Sequence, residues 1–378
     1  MTKIKILHII SGLNVGGAEY SLKRLIESNP KSMSSVAVVS LTSLGAVGRS
    51  LRNSGVSVHV IGMSSFFQLP VVLWRLVKIV RKYHPSIVQT WMYHADLLGG
   101  LAARIVGRSV IVWGIRSSAI PQGPQSFTYW LVRLCARLSH AIPHKIICNA
   151  KSAKAAHIAL GYAEGKMNVV PNGYEFSSFN LRISTRNSAR DALGIKPGDT
   201  VIGVVGRFDP LKDYANFVTA AAMLCSKIEN VRFLMVGRDL EWANETLHRW
   251  IAEAGLIDRF MPVGEQTDVP YFLSTMDIFC LSSRNEAFPN VVAEAMAMGL
   301  PCVVTRAGDA ADIVGNDGFV VPVSDPGALA GALVRMCEMD PVERQNLGDR
   351  GARKVRAEFG VERMRQRFEE IYQDAGAR

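Results

Sequence analysis

Short apolar, β-branched runs alternate with longer segments of helical period along most of the chain. This is the pattern of parallel sheets covered by helices on both faces. In the first half, strands are predicted at Lys5–Ile10, Val36–Leu41, Val56–Ile61, Ile87–Trp91, Val110–Gly114, Lys145–Asn149 and Asn168–Val170. Helical segments fall between them at Ala18–Glu27, Val71–Tyr83, Asp96–Val106, Phe127–His140 and Lys151–Ala159. Pro171–Ser188 is polar and unpatterned and reads as a linker. Alternation resumes with Val201–Val205, Arg232–Val236, Arg259–Val263, Ile278–Ser282, Cys302–Thr305 and Phe319–Val321. The tail carries no strand and reads as two or three helices. The expected fold class is α/β, with two doubly wound Rossmann-like domains at residues 1–170 and 189–355 facing each other across a cleft. Residues 171–188 join them, and a helix within 356–378 is expected to pack back toward the first domain.

A chain of 378 residues with 48% hydrophobic and 20% charged residues has the size and balance of two well-packed domains. No apolar run approaches the ~20 residues that cross a bilayer. The opening MTKIKILHIISGL places two lysines before an apolar stretch, as a signal peptide does. That stretch is too short for a secretory core and His8 interrupts it, so it reads as the first strand. The six cysteines (Cys135, Cys148, Cys225, Cys280, Cys302, Cys337) lack C-x-x-C spacing. They imply neither a disulfide framework nor a zinc site, and fit a reducing cytosol. Charge is unevenly spread. Met1–Val170 holds 20 Lys and Arg against 4 Asp and Glu, a balance of +16, whereas Pro171–Arg378 holds 23 against 29, a balance of −6. A basic first half points to an anionic neighbour, either membrane or nucleic acid.

The most informative segment is DIFCLSSRNEAFPNVVAEAMAMGLPCVVT, Asp277–Thr305. A buried strand leads into a loop with Glu286, and Pro289 suits the first turn of the helix that follows. Gly299 ends that helix and Pro301–Thr305 begins another strand. Glu286 and Glu294 are thereby aimed at the carboxyl end of the first strand, where open α/β sheets bind ligands. The helix start in the same place suits an anion. A sugar nucleotide carries both kinds of group: N–H donors take its diphosphate, and carboxylates accept from its hydroxyls. Gly206-Arg207-Phe208 and Lys212-Asp213 follow another strand end, where a planar arginine fork and a compact lysine charge can clamp a diphosphate. No Asp-x-Asp pair occurs in the chain, so side-chain cations are expected to do the work of a metal, and no cofactor is expected.

Glu286-x7-Glu294 within SSRNEAFPNVVAEAMAMGLPCV, with VVGRFDPLKD before it, resembles the retaining glycosyltransferases of family GT4, which have the GT-B fold. The resemblance implies that Glu286, Arg207, Lys212 and His94 serve catalysis. It implies that Gly16, Gly17, Arg207, Lys212, Gly264, Glu286, Phe288, Pro289, Asn290 and Glu294 bind the nucleotide sugar. Gly16-Gly17-Ala18-Glu19 is alone a weak phosphate signal; within GGAEYSLKRLI it resembles the family's N-terminal glycine loop. His94, in MYHADLLGGLAAR, is similar to a histidine that touches the donor sugar without acting as a base. LMVGRD, ending at Gly237, and FMPVGE, ending at Gly264, resemble the segments that hold the nucleotide base. Asn172-Gly173, in VVPNGY, resembles the family's interdomain turn. A glycine there can take positive φ and let the two domains reorient, so it is a hinge candidate and not a chemical one. The family's retention is explained by front-face attack, with the donor phosphate accepting the acceptor's proton. One departure is Arg306-Ala307-Gly308-Asp309, where many relatives have a more glycine-rich turn.

Arg75, Lys78, Arg81 and Lys82 share one side of PVVLWRLVKIVRKY, and Arg133 and Arg137 lie one turn apart in FTYWLVRLCARLSH beside Phe127, Tyr129 and Trp130. With the basic first half, these stretches suit an anionic lipid surface without insertion. The expected function is transfer of a hexose or N-acetylhexosamine from a UDP-sugar to a lipid-linked or polysaccharide acceptor. The expected place is the cytoplasmic face of a cell membrane, bound peripherally. Rival readings are a sugar-nucleotide 2-epimerase of the same fold, for which no convincing acid and base set is found, and a non-enzymatic protein that binds anionic surfaces. Nucleic acid is not expected as a partner, because no recognised motif accompanies the basic residues.

Overall fold

The computed structural model of the chain describes residues 4–376, apart from 119, 121–122, 124, 178 and 180–185. The chain divides into two compact units, Met1–Tyr174 with Val361–Arg378, and Glu175–Gly360. Residues 178 and 180–185 of the expected linker lie outside the described residues. Pro171–Tyr174 belong to the first unit, and a helix at Arg186–Ala192 begins within the stretch read as linker.

The first unit is built on seven parallel strands: β1 (Ile6–Ile10), β2 (Val36–Ser40), β3 (Ser57–Val60), β4 (Ile87–Trp91), β5 (Val110–Ile115), β6 (Lys145–Cys148) and β7 (Met167–Val169). Their order across the sheet is β3-β2-β1-β4-β5-β6-β7. The central strands are near-continuous apolar runs because helices cover both faces there, whereas the edge strand β3 buries only Val58. His8, the polar residue inside β1, is buried, and its Nδ1 accepts a hydrogen bond from Trp91 Nε1 at 3.2 Å. Burial pushes its pKa down to about 3, so it sits in the core as a neutral ring.

The helix Val361–Asp374 completes this unit, its Val361, Met364, Phe368 and Tyr372 entering the same apolar cluster as β1 and β4. Phe368 stacks on Trp91 with ring centroids 6.0 Å apart. Tyr174 and Val361 meet where the chain leaves and re-enters the unit, the Val361 N–H donating to the Tyr174 carbonyl at 3.0 Å. Gly173 does not take the positive φ expected of it. Its role is closeness: a Cβ there would stand 2.8 Å from Met364 Cβ and 2.9 Å from Val361 Cα.

The second unit repeats the architecture with six parallel strands: β8 (Thr200–Val205), β9 (Val231–Val236), β10 (Phe260–Pro262), β11 (Ile278–Leu281), β12 (Cys302–Thr305) and β13 (Gly318–Val321). Their order is β10-β9-β8-β11-β12-β13. Phe217, Phe233 and Phe260 interlock in its core, the closest pair being Phe233 and Phe260 at 4.7 Å. In each unit two central strands that are far apart in sequence lie side by side, β1 with β4 and β8 with β11. The chain runs outward in opposite directions from each pair. Loops at their carboxyl ends therefore diverge and leave room for a ligand.

Candidate functional site

In the second unit the loops after β8 and β11 meet at this point. The Asp209 carboxylate accepts from the Leu211 N–H at 2.9 Å and opens a single 3₁₀ turn over Pro210–Lys212. Asp213 follows with φ 52 and ψ 49, a left-handed conformation uncommon for a residue with a side chain. From the other loop, the Ser282 hydroxyl donates to the Lys212 carbonyl at 2.8 Å, and the Arg284 N–H donates to the Leu211 carbonyl at 2.7 Å. The two sequence-predicted groups then come together: Lys212 Nζ donates to Glu286 Oε1 at 2.6 Å. The Ser283 hydroxyl donates to the same oxygen at 2.7 Å. A cation and an acid, both half-buried, thus share one spot at the sheet's switch point.

Arg207 lies on the same loop but pairs locally, its Nε and Nη2 donating to Asp209 Oδ2 at 2.9 and 2.8 Å. Burial would raise the Asp209 carboxyl, but the Leu211 amide and the Arg207 guanidinium outweigh it and hold the group below its ordinary range. The helix Asn290–Ala297 begins at Asn290, with Pro289 at the cap just before it and Met298 at the cap after it. Phe288 is buried edge-on against Phe359 at 5.2 Å. Glu294 is half-buried on the second turn of the helix. Gly264 follows β10, and its carbonyl accepts from the N–H of Gly237, which follows β9, at 2.8 Å.

The turn Arg306–Asp309 shapes the wall beside Glu286. The Thr305 hydroxyl donates to the Ser283 carbonyl at 2.6 Å, and the Asp309 N–H donates to the Ala287 carbonyl at 3.0 Å. Gly308 has φ 55, and a Cβ there would fall 2.1 Å from the Glu286 carbonyl oxygen. A single glycine thus stands where the backbones touch, and the other turn positions tolerate side chains.

In the first unit Gly16, Gly17 and His94 sit at the carboxyl edge of the adjacent strands β1 and β4. Gly16 is fully extended (φ −174), and a side chain there would run into the Glu19 carboxylate. The second helix end differs from the expected start at Asp96: the helix is Tyr93–Val106, so His94 lies in its first turn. Met92, just before it, has φ 74, a strained conformation of the kind that gathers at functional edges. His94 stacks on Phe127 with centroids 6.3 Å apart, and burial lowers its pKa, leaving a neutral ring. Asp96 is fully buried and accepts from the Thr90 hydroxyl at 2.5 Å and the Gly114 N–H at 3.1 Å, a structural rather than a substrate-facing role.

Sequence reasoning missed Ser283, Asp213 and Arg284. Asp213 and Arg284 carry no signal in the sequence because each finds its partner in the opposite loop, whereas Ser283 pairs with Glu286 three residues on within its own loop. Asp209 did carry a legible signal, an aspartate directly before Pro-Leu-Lys at a turn.

Glycosyltransferase Family 4 matches residues 15–177, and Glycosyl transferases group 1 matches residues 185–354. The UDP-Gal:alpha-D-GlcNAc-diphosphoundecaprenol alpha-1,3-galactosyltransferase of Escherichia coli is 28% identical over 268 residues, 70% of this chain and 69% of that one. The capsular polysaccharide biosynthesis glycosyltransferase CapM of Staphylococcus aureus is 26% identical over 328 residues, 83% of this chain and 84% of that protein. Among solved structures, Anabaena Alr3699/HepE in complex with UDP shares the fold at a TM-score of 0.85 and 22% identity, covering 98% of this chain and all of that one.

Proposed function

Because the chain belongs to glycosyltransferase family 4 and is a glycosyltransferase, we propose that it moves a hexose or N-acetylhexosamine, with retention, from a UDP-sugar to a lipid-linked or polysaccharide acceptor in cell-surface glycan synthesis. The observation that carries this reading is the Lys212–Glu286 pair at the switch point of the second sheet. Lys212 and Arg207 take the diphosphate, whose charge grows as the glycosidic bond breaks, so fixed cations favour the transition state. Glu286 and Glu294 accept from hydroxyls of the donor, and the start of the Asn290–Ala297 helix adds N–H donors. The binding of UDP by a protein of the same fold and the UDP-Gal named for the Escherichia coli relative support this base. In this reading Arg207 and Lys212 stand in for a metal, and catalysis is metal-independent.

The same reading places the enzyme peripherally on the cytoplasmic face of a membrane. Among the described residues no helix is long and apolar enough to cross one. The first unit instead shows an apolar face to solvent. Phe67 is 97% exposed, and Val71 and Trp74 follow at helical spacing on the helix Leu69–Tyr83. Lys78 Nζ sits 3.5 Å from the Trp74 ring centroid, a basic group over an aromatic one. Phe127, Trp130 and Leu134 are exposed along the helix Phe127–Leu138. Such faces suit an interface rich in anionic lipid.

A thermal-shift screen across UDP-, GDP- and ADP-sugars tests the reading. A ligand at 100 times its dissociation constant adds about 2.7 kcal/mol to the stability of the unit that binds it. Stabilisation by a UDP-sugar, followed by transfer that survives EDTA and yields the α-configured product from an α-linked donor, is the expected result. Failure of every nucleotide sugar to stabilise the protein overturns it.

A further inference from the structure

Asp213 stands at the amino end of the helix Tyr214–Cys225, the position where an aspartate ordinarily caps the free N–H groups. Here its side chain makes no capping bond. Both carboxylate oxygens are turned away, to a residue 71 positions further along the chain: Arg284 Nε donates to Oδ2 at 2.7 Å and Nη2 to Oδ1 at 2.8 Å. The Ser324 hydroxyl adds a third bond to Oδ2 at 3.0 Å. The left-handed backbone of Asp213 asks for a glycine. An aspartate in that conformation is explained by its carboxylate, which is only 2% exposed, while the Arg284 side chain is 54% exposed. A two-bond arginine fork has fixed planar geometry, so it orients what it holds.

We propose that Asp213 and Arg284 are positioning residues for Lys212, the fork locking the left-handed residue that turns the lysine toward the donor diphosphate. The lysine's backbone is held on every side. The Ser282 hydroxyl binds its carbonyl, the Arg284 N–H binds the carbonyl of Leu211, and the fork fixes Asp213. Only the side chain is left to move, between Glu286 and a ligand. Loss of the fork frees the turn that carries the lysine, and a charge that must be placed within hydrogen-bonding distance of a phosphate is then spread over several positions. The inference rests on the reading of Lys212 as a diphosphate ligand.

Calorimetric titration of UDP into the full-length wild type and into Lys212→Ala, Arg284→Ala, Asp213→Gly and the Lys212→Ala/Arg284→Ala double variant separates the two. Lys212→Ala is expected to weaken UDP roughly tenfold or more, the scale of a charge-assisted bond. Arg284→Ala and Asp213→Gly are each expected to weaken it about three- to tenfold, and Arg284→Lys, which keeps the charge without the fork, by less. In the Lys212→Ala background, Arg284→Ala is expected to add less than about twofold, because a positioning residue has nothing left to position. A purely structural role gives the same loss in both backgrounds, and that result overturns the proposal, as does wild-type UDP affinity in Asp213→Gly and Arg284→Ala. Wild-type affinity in Lys212→Ala overturns the reading of Lys212 and the inference with it.

Discussion

Lys212 Nζ lies 2.6 Å from Glu286 Oε1, so each of the two groups holds the other's charge before any substrate arrives. Under the proposed function a diphosphate competes with Glu286 for the lysine and frees Glu286 for the sugar. Glu286→Ala is expected to leave UDP affinity within about threefold of wild type. It is expected to lower kcat/KM for the UDP-sugar by roughly two orders of magnitude, as losses of one transition-state contact do. Calorimetry with UDP alone, set beside initial rates, checks the split. Equal losses in both would assign Glu286 to the phosphate instead.

Gly308 packs against the backbone of the same glutamate. Its φ of 55 and the 2.1 Å approach to the Glu286 carbonyl leave no room for a methyl group. Gly308→Ala is expected to destabilise the second unit by about 1–3 kcal/mol and to raise the donor KM, since the loop must back away. Thermal unfolding and steady-state kinetics on the one variant measure both effects.

The proposed membrane attachment by the Phe67–Lys78 face has its own signature. Phe67→Ser with Trp74→Ser is expected to reduce sedimentation with phosphatidylglycerol vesicles while leaving UDP affinity unchanged. Charge contributes about 1 kcal/mol per basic residue near an anionic surface, so binding is expected to fall as salt rises. Sedimentation of the double variant at wild-type levels removes this face from the account.

His8 predicts a pH dependence of the first unit. Its folded pKa is about 3 against an ordinary 6.5, so between those values the unfolded chain binds the proton and the folded one does not. The stabilising contribution is complete above about pH 6.5 and is lost as the pH falls toward 3, at up to about 1.4 kcal/mol per pH unit. His8→Gln keeps an acceptor for Trp91 and does not titrate. Unfolding midpoints measured between pH 7 and pH 5 are expected to drop less in that variant than in wild type.

The parallel strands were legible because each is a short apolar run bounded by polar turns, and every predicted strand lies within two residues of an observed one. The α/β class and the glycosyltransferase family followed from those runs and from the segment around Glu286 and Glu294. Less was legible about how the site residues spend their charges. The sequence places Arg207 and Lys212 five residues apart as equals, yet Arg207 turns to Asp209 and Lys212 to Glu286. The Asp213–Arg284 fork has no local signal, since it joins loops brought side by side only by the pairing of β8 with β11. Gly173 was misread for a related reason: its neighbour in space is Met364, which no short-range pattern points to.

The return of Val361–Asp374 to the first unit sets an order of assembly. Translation delivers β1 to β7 first, then the whole of the second unit, and only afterwards the helix that covers Trp91. For as long as the ribosome takes to make Glu175–Gly360, the apolar surface later filled by Met364, Phe368 and Tyr372 stands open. A unit whose strands are made before Glu175–Gly360 thus completes its core only after that whole stretch has been translated.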